Sequence, residues 1–206
     1  TQGNDHIPAL WSPHPPYNSD PPTSGWHVDG IAPWGVHGGP IPKELQVHNL
    51  EDGRSAALDE GKVYYAASLF KLALLLEAYS QRDAAEVDFS RLLTLEHKYV
   101  EYDLNTLESL GLQEGDKITV ADALKAMIIV SDTPSAVMIQ DLVNPWRVDQ
   151  TLISLGINDM SVTTYDLPTT AHDIALLMEA VASGEGVTEQ SRREMLALLL
   201  QESIRD

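Results

Sequence analysis

The sequence predicts an α+β molecule, with a mainly helical domain, a small and incomplete antiparallel sheet, and an extended segment in front rich in Pro, Gly, His and Trp. Three observations lead to this. Composition changes near residue 50: nine of the twelve prolines, five of the seven histidines and three of the four tryptophans come before it. Apolar residues then alternate loosely (Leu45, Val47, Leu50) up to Glu51-Asp52-Gly53, and Asp-Gly in that setting is a hairpin turn. Beyond Ser68 the chain becomes Leu- and Ala-rich, with helix-start and helix-stop residues at regular intervals. The expected division is residues 1–44 for the extended segment and 45–206 for the domain.

Within residues 1–44 there is no helical period. Pro15-Pro16, Pro21-Pro22 and Gly38-Gly39-Pro40 impose turns and polyproline-like stretches. After the hairpin, Gly61–Tyr65 reads as a second short strand that runs into Ser68. Phe70–Gln81 has the spacing of a helix, and Phe89–Leu95 that of a short one. Tyr99–Asn105 reads as an irregular loop and Leu112–Asp116 as a turn. Thr119, with Asp122 three residues on, makes a capping-box-like start for a helix continuing as Ala123–Val130. Its nearly continuous Leu124, Met127, Ile128, Ile129 and Val130 predict a helix buried at the domain centre. Ser131-Asp132-Thr133-Pro134 interrupts it, Ser131 being a candidate N-cap and Pro134 suiting the first turn of Ser135–Leu142. Pro145–Leu155 follows and ends at Gly156. Thr169/Thr170 cap Ala171–Ser183, which Gly184 ends, and Thr188 caps Glu189–Ser203. No internal repeat or low-complexity segment is present.

Composition excludes several classes of function. The chain has no cysteine, so neither disulfides nor thiolate metal sites are available. Its net charge of −18 opposes binding to nucleic acid or an anionic membrane. No apolar run has membrane-spanning length, since Glu77 follows Leu72–Leu76 directly. The sequence opens at Thr1 without Met or a signal peptide, which reads as a mature or trimmed chain.

The chemistry centres on Ala67-Ser68-Leu69-Phe70-Lys71, where a small-residue turn enters an apolar helix. Positions i and i+3 share a helix face, so Ser68 and Lys71 can touch. A serine hydroxyl becomes a nucleophile when an adjacent base takes its proton. A lysine among Leu69, Phe70, Leu72 and Leu75 is costly to keep charged, which lowers its pKa toward that of a useful base. Backbone N–H groups at the helix start can stabilise an anion at the same spot. Acyl transfer to serine follows from this set. Ser-x-x-Lys also arises by chance on the order of once in a chain of this length. An N-cap serine beside a snorkelling lysine gives the same four residues. In the extended segment His6, His14, His27 and His37, with His48 beyond it, suit either a transition-metal site or hydrogen-bonded loop positions.

Two resemblances add to this reading. Asp5-His6, Pro21-Pro22-Thr23-Ser24-Gly25-Trp26-His27, Trp34-Gly35-Val36-His37 and Val47-His48-Asn49-Leu50-Glu51 are similar to an uncharacterised family of secreted bacterial domains over residues 3–53. This chain departs from it in carrying Asp52 and His37 where that family has histidine and tyrosine. Residues 45–206 resemble the class A β-lactamase and penicillin-binding protein superfamily. Ser68-Leu69-Phe70-Lys71 matches its S-x-x-K motif. Ile118–Leu124 followed by Met127–Thr133 matches the helix leading to its S-D-N motif, and Thr169–Ala175 and Ile204-Arg205-Asp206 match later landmarks.

The second resemblance implies a β-lactamase/transpeptidase-like serine hydrolase with Ser68 as acylated nucleophile, Lys71 as its general base and Ser131 as the relay that protonates the leaving nitrogen. Asp132 and Thr133 would stand on the substrate side, Asp132 orienting the local backbone. No cofactor is implied. The substrate class is a β-lactam or a peptidoglycan-like peptide, and the location a secreted or envelope-exterior one in bacteria. Three departures bear on activity. Thr133 replaces the asparagine of S-D-N. The K-T-G strand expected after Asp206 is not in the sequence, so the domain is expected to be truncated there, which leaves room for a second copy to complete the sheet. The loop from Gly156 to Thr169 carries no E-x-x-L-N glutamate, Asp166 being its one late acidic residue, and deacylation is expected to be slow. The competing readings are a non-catalytic extracellular binding module and a metal-binding protein using His6, His27 and His48.

Overall fold

The computed structural model describes residues 44–201. The expectations for residues 1–43, including His6 and His27, and for residues 202–206 lie outside them. The domain is mainly helical, and its described strands form three two-stranded antiparallel ladders.

The first ladder is the hairpin read from the sequence. β1 (Leu45–His48) pairs with β2 (Ser55–Leu58), Leu45 opposite Leu58 and His48 opposite Ser55. Gly53 turns the chain at φ +72°, a region that costs glycine little, and its N–H donates to the Asn49 carbonyl at 2.9 Å. The hairpin is anchored through His48. Its Nδ1–H donates to Glu179 Oε2 at 2.9 Å, while its Nε2 accepts from Gln46 Nε2 at 2.6 Å. His48 therefore links the hairpin to the helix that carries Glu179, with both ring nitrogens occupied. Among the described residues no group of His, Asp and Glu is placed to hold a metal ion.

β3 (Tyr64–Tyr65) pairs with β6 (Pro168–Thr169), a partner far along the chain that local pattern did not indicate. A 3₁₀ turn (Ala67–Leu69) then leads into α1 (Phe70–Asp83). Ten consecutive residues, Phe70 to Tyr79, are buried, including Lys71 and Glu77. α1 is the centre of the domain: it packs against α4 (Val120–Ile129), α5 (Thr133–Val143), α6 (Pro145–Ser154), α7 (Ala171–Ser183) and α8 (Glu189–Leu199). The expectation that the helix before Ser131 is the central one is corrected. α4 buries one face only, leaving Ala121, Asp122 and Lys125 exposed.

A second correction concerns Phe89–Leu95, expected to be helical. Leu92–Thr94 is β4, paired with β5 (Lys117–Thr119). Asp88 Oδ1 accepts the Ser90 N–H at 2.8 Å, an Asx turn that competes with a helix start. Side chains then alternate, Leu92 and Thr94 outward, Leu93 and Leu95 inward, with the period of a strand. Between the two strands lie two one-turn helices, α2 (His97–Val100) and α3 (Leu107–Leu110).

Helix ends follow the capping rules closely. Thr119 Oγ1 accepts from the Asp122 N–H at 3.0 Å and donates to Asp122 Oδ2 at 2.6 Å. Thr170 and Thr188 cap α7 and α8, and Gly184 ends α7 at φ +77°. α5 is capped by Asp132 rather than Ser131, with Pro134 in its first turn. Among the described residues no helix is long and apolar enough to cross a membrane.

Candidate active site

Three elements converge on Ser68. The 3₁₀ turn holds Ser68 at the surface, α1 supplies Lys71 on the next turn, and the junction between α4 and α5 supplies Ser131. Two backbone outliers shape the meeting point. Ala67, just before Ser68, has φ +46°, and Ser131 has φ +56°. Left-handed conformations of L-residues cost on the order of 1–3 kcal/mol each and persist where surrounding structure over-determines them. Here that structure is visible. The Ala66 N–H donates to the carbonyl of Leu167, itself at φ +38°, at 2.8 Å, which fixes the approach to Ser68 beside β6. The Asp132 N–H donates to the Ala126 carbonyl at 3.1 Å, which folds the Ser131 corner back onto α4.

The three side chains form a chain of contacts in an order that i, i+3 spacing did not predict. Ser68 Oγ lies 3.0 Å from Ser131 Oγ. Lys71 Nζ donates to Ser131 Oγ at 2.9 Å and to the Ser131 carbonyl at 2.6 Å. Among the described residues no hydrogen bond joins Lys71 Nζ to Ser68 Oγ directly. Ser68 precedes the α-helix proper, and the ammonium is drawn past it to the fixed Ser131 carbonyl. Ser131 is the bridge.

Burial sets the electrostatics. Lys71 is 3% exposed, and loss of solvation pulls its pKa down to about 8, against an opposing pull from the Asp132 carboxylate. Its amine can thus shed and regain a proton near neutral pH. Asp132 is fully buried, and its two oxygens are occupied: Oδ2 accepts the Ser135 N–H at 2.8 Å, and Oδ1 accepts the Thr106 hydroxyl. Asp132 is therefore a positioning group that fixes the Ser131 corner, with no open face toward a ligand. Thr133 follows in the first turn of α5, half-buried.

Thr106 went unnoticed in the sequence, where it directly follows the Tyr99–Asn105 stretch read as an irregular loop. Asp103 organises that loop, its Oδ1 accepting the N–H groups of Thr106 at 2.9 Å and Leu107 at 3.2 Å. An Asp three residues before a Thr was the available signal, an Asx-type arrangement. Leu199 of α8, Met127 and Ile128 of α4, and Leu69 and Leu72 complete the walls of a cavity of about 100 Å³ at Ser68 and Lys71. That space is smaller than the roughly 300–1,000 Å³ of a drug-sized ligand's pocket, so these residues enclose the Ser68 and Lys71 side chains rather than the body of a ligand.

Comparison with known proteins gives consistent results. The model of the beta-lactamase enzyme family matches residues 40–206, a range that takes in Val47–Glu51 as well as the serine and lysine positions. No curated protein matches. Among solved structures, PBP-A superposes with TM-score 0.71 at 21% identity, covering 78% of this chain and 63% of that one. A PBP-A variant, at the same similarity, is an acyl-enzyme complex with penicillin G. A β-lactamase from Chitinophaga pinensis superposes with TM-score 0.71 at 16% identity, covering 78% and 64%. One from Sphaerobacter thermophilus gives TM-score 0.68 at 22% identity with the same coverage. The chain thus spans less than two thirds of the length of these structures.

Proposed function

The chain belongs to the beta-lactamase enzyme family, and from that membership we propose that it is a serine acyl-transfer enzyme acting on a β-lactam or a peptidoglycan-like peptide through an acyl-Ser68 intermediate. The observation that supports this best is the contact chain Ser68 Oγ–Ser131 Oγ–Lys71 Nζ, which ends on a lysine whose burial holds its pKa near 8. In the proposed acylation Lys71 is a neutral amine. The Ser68 proton passes to Ser131 Oγ as the Ser131 proton passes to Lys71 Nζ, giving an ammonium. Ser68 Oγ bonds to the carbonyl carbon, and the carbonyl oxygen takes the negative charge. The Ser68 backbone N–H is assigned the first contact to that oxyanion. When the carbon–nitrogen bond breaks, the same chain runs in reverse and Ser131 protonates the leaving nitrogen.

The penicillin G acyl-enzyme of the PBP-A variant supports a β-lactam as one member of the substrate class. Peptidoglycan lies outside the bacterial cytoplasmic membrane, so the same reading carries a secreted or envelope-exterior location.

Hydrolysis needs a second base for the attacking water. The loop between Gly156 and Thr169 offers Asp159 and Asp166, both exposed, and two of its hydroxyls are committed elsewhere: Ser161 and Thr163 donate to Asp149 Oδ2 at 2.7 Å each. We therefore propose slow deacylation. A chromogenic cephalosporin is expected to give a burst of about one equivalent per chain, then turnover far below the enzyme median of about 10 per second. Sustained hydrolysis at or above that rate with no burst contradicts slow deacylation, and no release of chromophore at all contradicts the acyl-enzyme reading.

A further inference from the structure

Besides Ser68's cavity the domain has a larger one that the acyl-transfer reading does not use. It lies between the β4–β5 ladder, α3 and the outer face of α4, with a volume of about 410 Å³. Its walls are apolar, from Leu92, Leu110, Leu112, Ile118 and Ile129, and Leu92 is 58% exposed at its mouth. A pocket of this size with a few polar groups at the edge is the usual form of a small-molecule site.

Charge distinguishes it from an accidental crevice. In a chain of net charge −18, Arg54, Lys62, Arg82, Lys98, Arg147, Arg192 and Arg193 all stand within 4 Å of a carboxylate. Outside the Ser68 site, the described lysines and arginines without such a partner are Arg91, Lys117 and Lys125. Lys117 and Lys125 line this pocket, and Arg91 adjoins its wall residue Leu92. The pocket's one acid, Asp122, accepts the Thr119 hydroxyl at 2.6 Å and forms no ion pair with either lysine, so its single negative charge leaves the lining with a net positive charge. Two ammonium groups without ion-pair partners, in excess of the lining's one carboxylate, complement a ligand with an anionic head and a hydrocarbon body.

We propose that this pocket binds a small amphipathic carboxylate, a single-chain fatty-acid-like anion, with its alkyl chain against Leu110, Leu112, Ile118 and Ile129 and its carboxylate between Lys117 and Lys125. The proposal does not depend on chemistry at Ser68. The cavity's limited volume favours one free chain, and the overall negative charge opposes docking on an anionic bilayer.

Octanoate titrated into the ¹⁵N-labelled full chain tests it, with octanol as the neutral control. Saturable amide shifts are expected at Leu110, Leu112, Ile118 and Ile129, with Kd below about 1 mM and at least about fivefold weaker binding of octanol. The double variant K117E/K125E changes two exposed side chains and is expected to weaken octanoate binding about tenfold or more while leaving the spectrum folded. Shifts confined to other regions, equal binding of octanol, or binding unchanged in the double variant would overturn the proposal. So would sedimentation of the chain with phosphatidylglycerol vesicles when octanoate gives no shifts, which would transfer the lysines to a membrane role.

Discussion

Ser131 does more to shape the site than its place in the sequence suggests. Its hydroxyl stands between the Ser68 hydroxyl and the Lys71 amine, and its left-handed backbone (φ +56°) holds it there. That conformation is sustained by neighbours on both sides, the Ala126 carbonyl and the buried Asp132 carboxylate. Asp132 also acts on Lys71 through its charge, opposing the desolvation that lowers the lysine's pKa to about 8. If the neutral amine is the base, acylation falls on the acid side of pH 8 and levels off above it. Asp132→Asn keeps a good helix cap and removes the charge. Its acid limb is therefore expected at lower pH than the wild type's, read from kcat/KM for acylation against pH. A limb that stays in place or moves to higher pH contradicts Lys71 as the titrating group. The residues of this site were legible as types, since Ser68, Lys71 and Ser131 were all identified by motif. Their order of contact was not, because it depends on where the Ser131 carbonyl sits.

Among the elements, those with strong local signals were legible and those made by distant pairing were not. The hairpin turn at Gly53, the Thr119, Thr170 and Thr188 caps and the Gly184 stop all follow from short-range chemistry. Pairing of β3 with β6 and of β4 with β5 joins segments far apart in the chain, where a two- or three-residue strand leaves little periodicity to read. α1 illustrates the same divide. Its apolar run was evident, whereas Glu77 looked like the residue that ends it. Instead Glu77 is 2% exposed and holds three groups together: Gln81 Nε2 donates to Oε1 at 2.6 Å, Thr151 Oγ1 to Oε2 at 2.6 Å, and Arg147 Nε lies 3.5 Å away. Gln81 in turn donates to the Val143 carbonyl at 2.7 Å, so α1, α5 and α6 share one polar knot. Glu77→Ala leaves buried donors unpaired and is expected to destabilise the fold by about 3 kcal/mol. A lower urea midpoint at unchanged m-value checks this, and a change within about 0.5 kcal/mol, typical of surface substitutions, contradicts it.

For the molecule as a whole, a helical domain built around α1 places a strained serine turn, a buried lysine and a hydroxyl bridge at one edge of the helix cluster. The fold class and the family were legible because S-x-x-K, the capped α4 and the Ser131 corner occur in order, and the family match over residues 40–206 spans that same stretch. Metal binding through His6, His27 and His48 has no support from His48, whose ring is spent on Gln46 and Glu179. Acylation of Ser68 Oγ is tested most directly by intact-protein mass spectrometry after incubation with penicillin G. A gain of one penicillin mass is expected on the wild-type chain, mapped to the peptide containing Ser68, and none on Ser68→Ala. An unmodified wild-type chain, or an adduct that survives in Ser68→Ala, would contradict it.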